Sequence, residues 1–123
     1  MKHHMRLHHV DLPVADVAAV RAFFETHFRL RCVFAGAGGL TVLADDGDFA
    51  VTLSPLGNGE AERWPTGFHV GFNLPSEHAL QAAFARLAAA GVPIARPLGD
   101  LGGAPAFQCL APGGLVVELV CRR

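Results

Sequence analysis

Three side chains of this sequence have the types and spacing to hold a divalent metal: His9, His69 and Glu118. Two neutral imidazoles and one carboxylate form a donor set that leaves coordination positions open on Fe, Mn, Zn or Ni. Open positions are where the oxygens of a small substrate bind and are polarised. Glu118 interrupts the apolar run Leu115-Val116-Val117-Glu118-Leu119-Val120, and a carboxylate in such a run needs a hydrogen bond, a counter-charge or a metal. The histidines open two related segments about sixty residues apart, His9-Val10-Asp11-Leu12-Pro13-Val14 and His69-Val70-Gly71-Phe72-Asn73-Leu74-Pro75. Either histidine alone reads as a hydrogen-bonded structural residue. The repeated placement, together with Glu118, points to a metal.

Strands are the elements that position these residues. Side chains alternate between the faces of a strand, so His9, Asp11 and Pro13 share one face while Val10, Leu12 and Val14 share the other. His69, Gly71 and Asn73 repeat that division against Val70, Phe72 and Leu74. Asp16 is placed to cap a helix over 17–28, with Val17, Val20, Phe24 and Phe28 on one stripe. Strand-like stretches follow at 31–35, 40–44 and 49–54, separated by Gly36-Ala37-Gly38-Gly39 and Asp45-Asp46-Gly47-Asp48. After a polar connection rich in Gly and Pro, Ser76 caps a helix over 77–90 with Leu80, Phe84 and Leu87 on one face, ended by Gly91. Strands at 92–95, 104–110 and 115–121 complete the second half. The expected organisation is one α+β domain over 1–123, with a βαβββ module at about 6–56, a connection at 57–66 and a second module at 67–121. Thr52 stands where this symmetry places a fourth ligand, opposite the role of Glu118.

Composition narrows the functional classes. With 123 residues and 51% apolar residues, the chain can bury a single core and is not a disordered segment. A net charge of −1 gives no basic field for nucleic-acid phosphates. No apolar run reaches the length of a membrane span and no secretory h-region opens the chain, so neither membrane nor nucleic acid is an expected partner and the cytoplasm is the expected compartment. Cys32, Cys109 and Cys121 are odd in number and widely spaced, which fits reduced core thiols. Met1-Lys2-His3-His4 is either native or a tag remnant and carries no weight for the fold. His8 reads as a partly buried or edge histidine on the face opposite His9, and His27 and His78 as helix residues in solvated or capping roles.

These residues resemble the vicinal oxygen chelate superfamily, which includes glyoxalase I, bleomycin-resistance proteins, extradiol dioxygenases, fosfomycin-resistance enzymes and methylmalonyl-CoA epimerase. The opening ligand-histidine pattern is similar to His9-Val10-Asp11-Leu12-Pro13-Val14-Ala15-Asp16 running on to Phe23-Phe24, and the closing one to Ala111-Pro112-Gly113-Gly114-Leu115-Val116-Val117-Glu118, with Ala111 in place of the usual Asp. The resemblance implies two βαβββ modules forming a curved mixed sheet around a cavity, as in the glyoxalase/bleomycin-resistance/dioxygenase fold. It puts His9, His69 and Glu118 on three ligand positions and Thr52 on the fourth, usually Glu, Gln or His in glyoxalase I. That departure favours the three-ligand pattern of the dioxygenase and fosfomycin branches, although the chain has no tyrosine.

The implied function is a metal-dependent small-molecule enzyme that coordinates vicinal oxygens, with Glu118 as ligand and base in turn and Asp11 as a second candidate base. Asp11, Thr52, Trp64, Asn73 and Phe107 are the candidate substrate contacts; Trp64, Phe68 and Phe107 either line the cavity or pack the sheet edge. The alternative is a protein of the bleomycin-resistance type that binds or sequesters a small molecule without metal. The resemblance further implies a homodimer with its cavities at or near the subunit contact.

Overall fold

A computed structural model describes residues 5–122 and divides the chain between Glu62 and Arg63 into two compact units. The opening Met1-Lys2-His3-His4 lies outside the described residues. Each unit is a βαβββ module. The first contains β1 (His9–Val14), α1 (Val17–Phe28), β2 (Arg31–Ala35), β3 (Thr41–Ala44) and β4 (Ala50–Pro55). The second contains β5 (His69–Asn73), α2 (Glu77–Ala89), β6 (Ile94–Leu101), β7 (Ala104–Leu110) and β8 (Val116–Val120). Their mixed sheets share one topology, β1-β4-β3-β2 and β5-β8-β7-β6, in which the first and last strands of each module run parallel. The fold is α+β.

Local chemistry starts both helices. Asp16 Oδ1 accepts the Ala19 N–H at 2.9 Å, and Ser76 Oγ accepts the Ala79 N–H at 3.0 Å, each satisfying a donor that the helix leaves unpaired. The first helix buries Val20, Phe23 and Phe24 and packs on β2, β3 and β4; the second buries Leu80, Ala83 and Leu87 and packs on β6 and β7. Val17, Phe28 and Phe84 lie only half-buried at the margins of the expected stripes. Behind α1 sit Leu12, Val14, Leu43, Val51 and Leu53, and burying each of these side chains contributes about 1.5–3 kcal/mol. In the second unit Phe107, Cys109, Val117 and Leu119 are buried on one face of the sheet.

One strand departs from expectation. The sequence suggests an end at Ala95, yet β6 continues through Arg96-Pro97-Leu98-Gly99-Asp100 to Leu101. It is an edge strand whose pairing with β7 slips between Ile94 and Arg96 and again between Arg96 and Gly99. Bulged edges are where a strand tolerates Pro and Gly. No helix among the described residues is long and apolar enough to cross a membrane.

Candidate metal centre

In the second unit, β5 and β8 bring His69 and Glu118 together. Glu118 pairs with Gly71 in the parallel ladder and Val116 with His69, so all four lie on one side of the sheet. Buried Val117 and Leu119 take the other side. Gly71 has no side chain to fill the space beside Glu118: a Cβ there would meet only the Glu118 backbone oxygen, at 3.9 Å.

The His69 ring is oriented by the backbone before it. Its Nδ1 lies 2.8 Å from the Gly67 carbonyl oxygen, which can only accept, so Nδ1 carries the proton. In the neutral ring Nε2 is therefore the lone-pair nitrogen, and it lies 3.9 Å from Glu118 Oε1. That separation exceeds a direct hydrogen bond; two donors holding one cation at about 2.0–2.2 Å in a tetrahedral shell stand about 3.3–3.6 Å apart, so the pair would have to close by a few tenths of an ångström to share an ion. The Glu118 side chain keeps 14% of its surface exposed, against 41% for His69, so the carboxylate is the member withdrawn from water. Its Oε1 also accepts a 3.0 Å hydrogen bond from Gln108 Nε2 on β7, directly across the ladder. Gln108 is absent from the sequence-derived candidates. Its signal was available: it is the single polar side chain in Ala104-Pro105-Ala106-Phe107-Gln108-Cys109-Leu110, the strand preceding the one that carries Glu118. No third His, Cys, Asp or Glu joins a metal-holding group among the described residues.

The first unit presents its own set. His9, Asp11 and Pro13 are exposed while Leu12 and Val14 are buried, the alternation expected from the sequence. Asp11 pairs with Thr52 across β1 and β4, and Ser54 Oγ donates to Asp11 Oδ1 at 2.8 Å. Thr52 thus has the register of Glu118 in the second module, two residues beyond the ladder partner of the histidine. In this module the carboxylate stands one strand over, on Asp11. His8, read as a partly buried or edge histidine, is exposed beside the edge strand β1, and its ring lies edge-on to His9 with the two Nδ1 atoms 3.2 Å apart. Where that contact is a hydrogen bond between neutral rings, one Nδ1 donates and the other accepts.

The remaining candidates divide. Phe107 is fully buried, pairs with Leu119 on the face opposite Glu118 and packs edge-on against Phe84 at 5.1 Å. It is a core residue and not a substrate contact, because its register is one residue off that of Gln108. Asn73 is exposed on β5, but its Oδ1 accepts the Arg122 N–H at 2.9 Å and closes the end of that sheet. Trp64 stacks on Phe68 with ring centres 5.1 Å apart, and its buried Nε1 has no hydrogen-bond partner among the described residues. His27 packs edge-on against Phe23, and His78 is exposed on α2.

The family model of the Glyoxalase/Bleomycin resistance protein/Dioxygenase superfamily matches residues 6–119. The chain belongs to this superfamily. A possible glyoxalase from Bacillus cereus is 33% identical with a TM-score of 0.83, the match covering 96% of this chain and all of that one (100%). The fold is also that of lactoylglutathione lyase from Agrobacterium tumefaciens, at 18% identity, TM-score 0.77 and coverage of 97% and 95%. A variant of the fosfomycin resistance protein FosX from Listeria monocytogenes, complexed with Mn(II) and 1S,2S-dihydroxypropylphosphonic acid, matches at 18% identity and TM-score 0.78, covering 96% and 90%. No curated protein matches the chain.

Proposed function

We propose that this superfamily member is a metal-dependent enzyme acting on a small molecule with vicinal oxygens, in which His9, His69 and Glu118 hold a divalent ion such as Mn, Fe, Zn or Ni. The observation that carries the reading is the His69–Glu118 pair, two donors 3.9 Å apart with the imidazole tautomer set by Gly67 and the carboxylate held by Gln108. Outer hydrogen bonds of this kind orient metal ligands and fix which nitrogen is free. Mn(II) in the similarly folded FosX agrees with such a donor set. When bound, the ion supplies Lewis acidity to the substrate oxygens.

The chain's own residues do the rest. Gly71 leaves room beside Glu118 for a ligand. Glu118 accepts the substrate's proton at the oxygen not held by Gln108. Asp11, with Oδ1 engaged by Ser54, keeps its second oxygen for a substrate hydroxyl. Thr52, beside Asp11, is a substrate contact in place of a fourth ligand. The working protein is a homodimer in the cytoplasm.

The test is metal analysis of tag-free protein, since tag histidines bind nickel. Reconstituted protein is expected to retain about one divalent ion per site, and Glu118→Ala to retain none while remaining folded. Metal-free wild type, or unchanged metal content in Glu118→Ala, refutes the assignment. A second reading, metal-free binding of an aromatic or apolar ligand, is favoured by the Trp64–Phe68 stack and its unpaired indole N–H. It predicts ligand-dependent quenching of Trp64 fluorescence without metal.

A further inference from the structure

We propose that Arg96 is the specificity residue of this site, receiving an oxyanion carried by the same small molecule that chelates the metal; the inference rests on the His69–Glu118 metal reading above. Strand register places Arg96. Arg96 is the ladder partner of Gln108, Gln108 of Glu118, and Glu118 of Gly71, so one row crosses all four strands of the sheet. Residues paired directly across a ladder share a face, which puts Arg96 on the side of the sheet that carries Glu118 and His69. The pairing slips on either side of Arg96 keep it in this row although its neighbours Pro97 and Leu98 have no partner on β7.

Arg96 is the one Lys or Arg on the four strands of this unit. It is exposed, and among the described residues no ion pair or side-chain hydrogen bond engages its guanidinium. The reason it does not neutralise Glu118 lies in the row itself. The two backbones are two strand spacings apart, about 10 Å, and the neutral amide of Gln108 stands between them and occupies the carboxylate. Glu118 is thereby left for a cation and Arg96 for an external anion. A guanidinium offers parallel N–H donors that match a carboxylate or a phosphonate in a two-point contact. The ligand class is a small chelator with an oxyanion a few bonds from its chelating oxygens.

Matched probes test this on the Mn(II)-loaded protein. Acetohydroxamic acid chelates through vicinal oxygens and carries no anionic tail; succinohydroxamic acid and 3-phosphonopropanohydroxamic acid share that head and add a carboxylate or a phosphonate. Binding is measured by calorimetry. Wild type is expected to bind at least one anionic probe about tenfold tighter than the neutral one, and the preferred tail names the oxyanion. Arg96→Gln should remove that preference while leaving affinity for Mn(II) and for acetohydroxamic acid unchanged, and Arg96→Lys should restore part of it. The proposal is overturned if acetohydroxamic acid binds but the anionic probes gain nothing, or if their gain survives Arg96→Gln. It is equally overturned if Arg96→Gln alters only aggregation, since a charge on an edge strand also blocks sheet-to-sheet pairing. Wild type that binds neither Mn(II) nor any hydroxamate overturns the metal reading itself, a distinct result that removes this inference with it.

Discussion

A backbone carbonyl decides the protonation pattern of His69, and an amide decides the orientation of Glu118. Gln108 is the residue on which this arrangement can be weighed without touching a ligand. Gln108→Leu keeps the volume and deletes the donor to Oε1, so metal affinity measured by competition with a chelator should fall about tenfold or more. Thermal stability should change by only about 1 kcal/mol. A fall in stability with metal affinity intact would make Gln108 a packing residue. A second residue-scale expectation concerns Cys109, whose burial on the inner face of the sheet pushes its thiol from 9.0 up to about 11. The folded state therefore holds a proton that the unfolded state releases above about 9. This contribution to stability is complete below pH 9 and is lost as pH rises from about 9 to about 11, amounting to about 2–3 kcal/mol. Urea midpoints of wild type and Cys109→Ala, compared across that range, should converge as the pH rises; parallel curves would contradict it.

At the scale of elements, the two sheets show which kinds of inference a single sequence supports. Alternation placed His9 and Asp11 on the polar side of β1 because Leu12 and Val14, fully buried behind α1, leave no second register without exposing them, and His69 stands likewise opposite the half-buried Val70 and Phe72 of β5. The helix starts were legible because Asp16 and Ser76 act on N–H groups three residues away, a local effect. Long-range pairing was not legible. Nothing near Gln108 announces that Glu118 is its ladder partner, and Phe107 stands one step of the alternation away from Gln108, the one polar residue that marks the strand's phase. The extension of β6 past Ala95 was masked by Pro97 and Gly99, which mark a turn unless a bulged edge accommodates them. Phe107 gives the matching test. Phe107→Ala empties a site packed against Phe84, so it should cost about 3–5 kcal/mol of stability in chemical denaturation. Metal bound per folded molecule should stay unchanged; a selective loss of metal or ligand would return Phe107 to the site.

For the whole molecule, the decisive question is how many chains supply one site. The proposed ligands are divided between the units: His9 on β1 of the first, His69 and Glu118 on β5 and β8 of the second. The proposed ligand set draws on both units, from one chain or from two. Two-fold symmetric pairing is the commonest assembly for a chain of this size, and in that arrangement two identical sites form together. If units pair across the dimer, His9 of one subunit meets His69 and Glu118 of the other. His9→Ala and Glu118→Ala proteins, each unable to retain metal, should then complement one another after subunit exchange. In the heterodimer one site inherits both substitutions and the other inherits neither, so metal retention is expected to return on mixing, to one site per heterodimer. Native mass spectrometry of the mixture reads subunit composition and metal count together. Heterodimers that form without recovering metal would place all three ligands within a single chain, and a protein that sediments as a monomer at micromolar concentration would do the same by removing the partner.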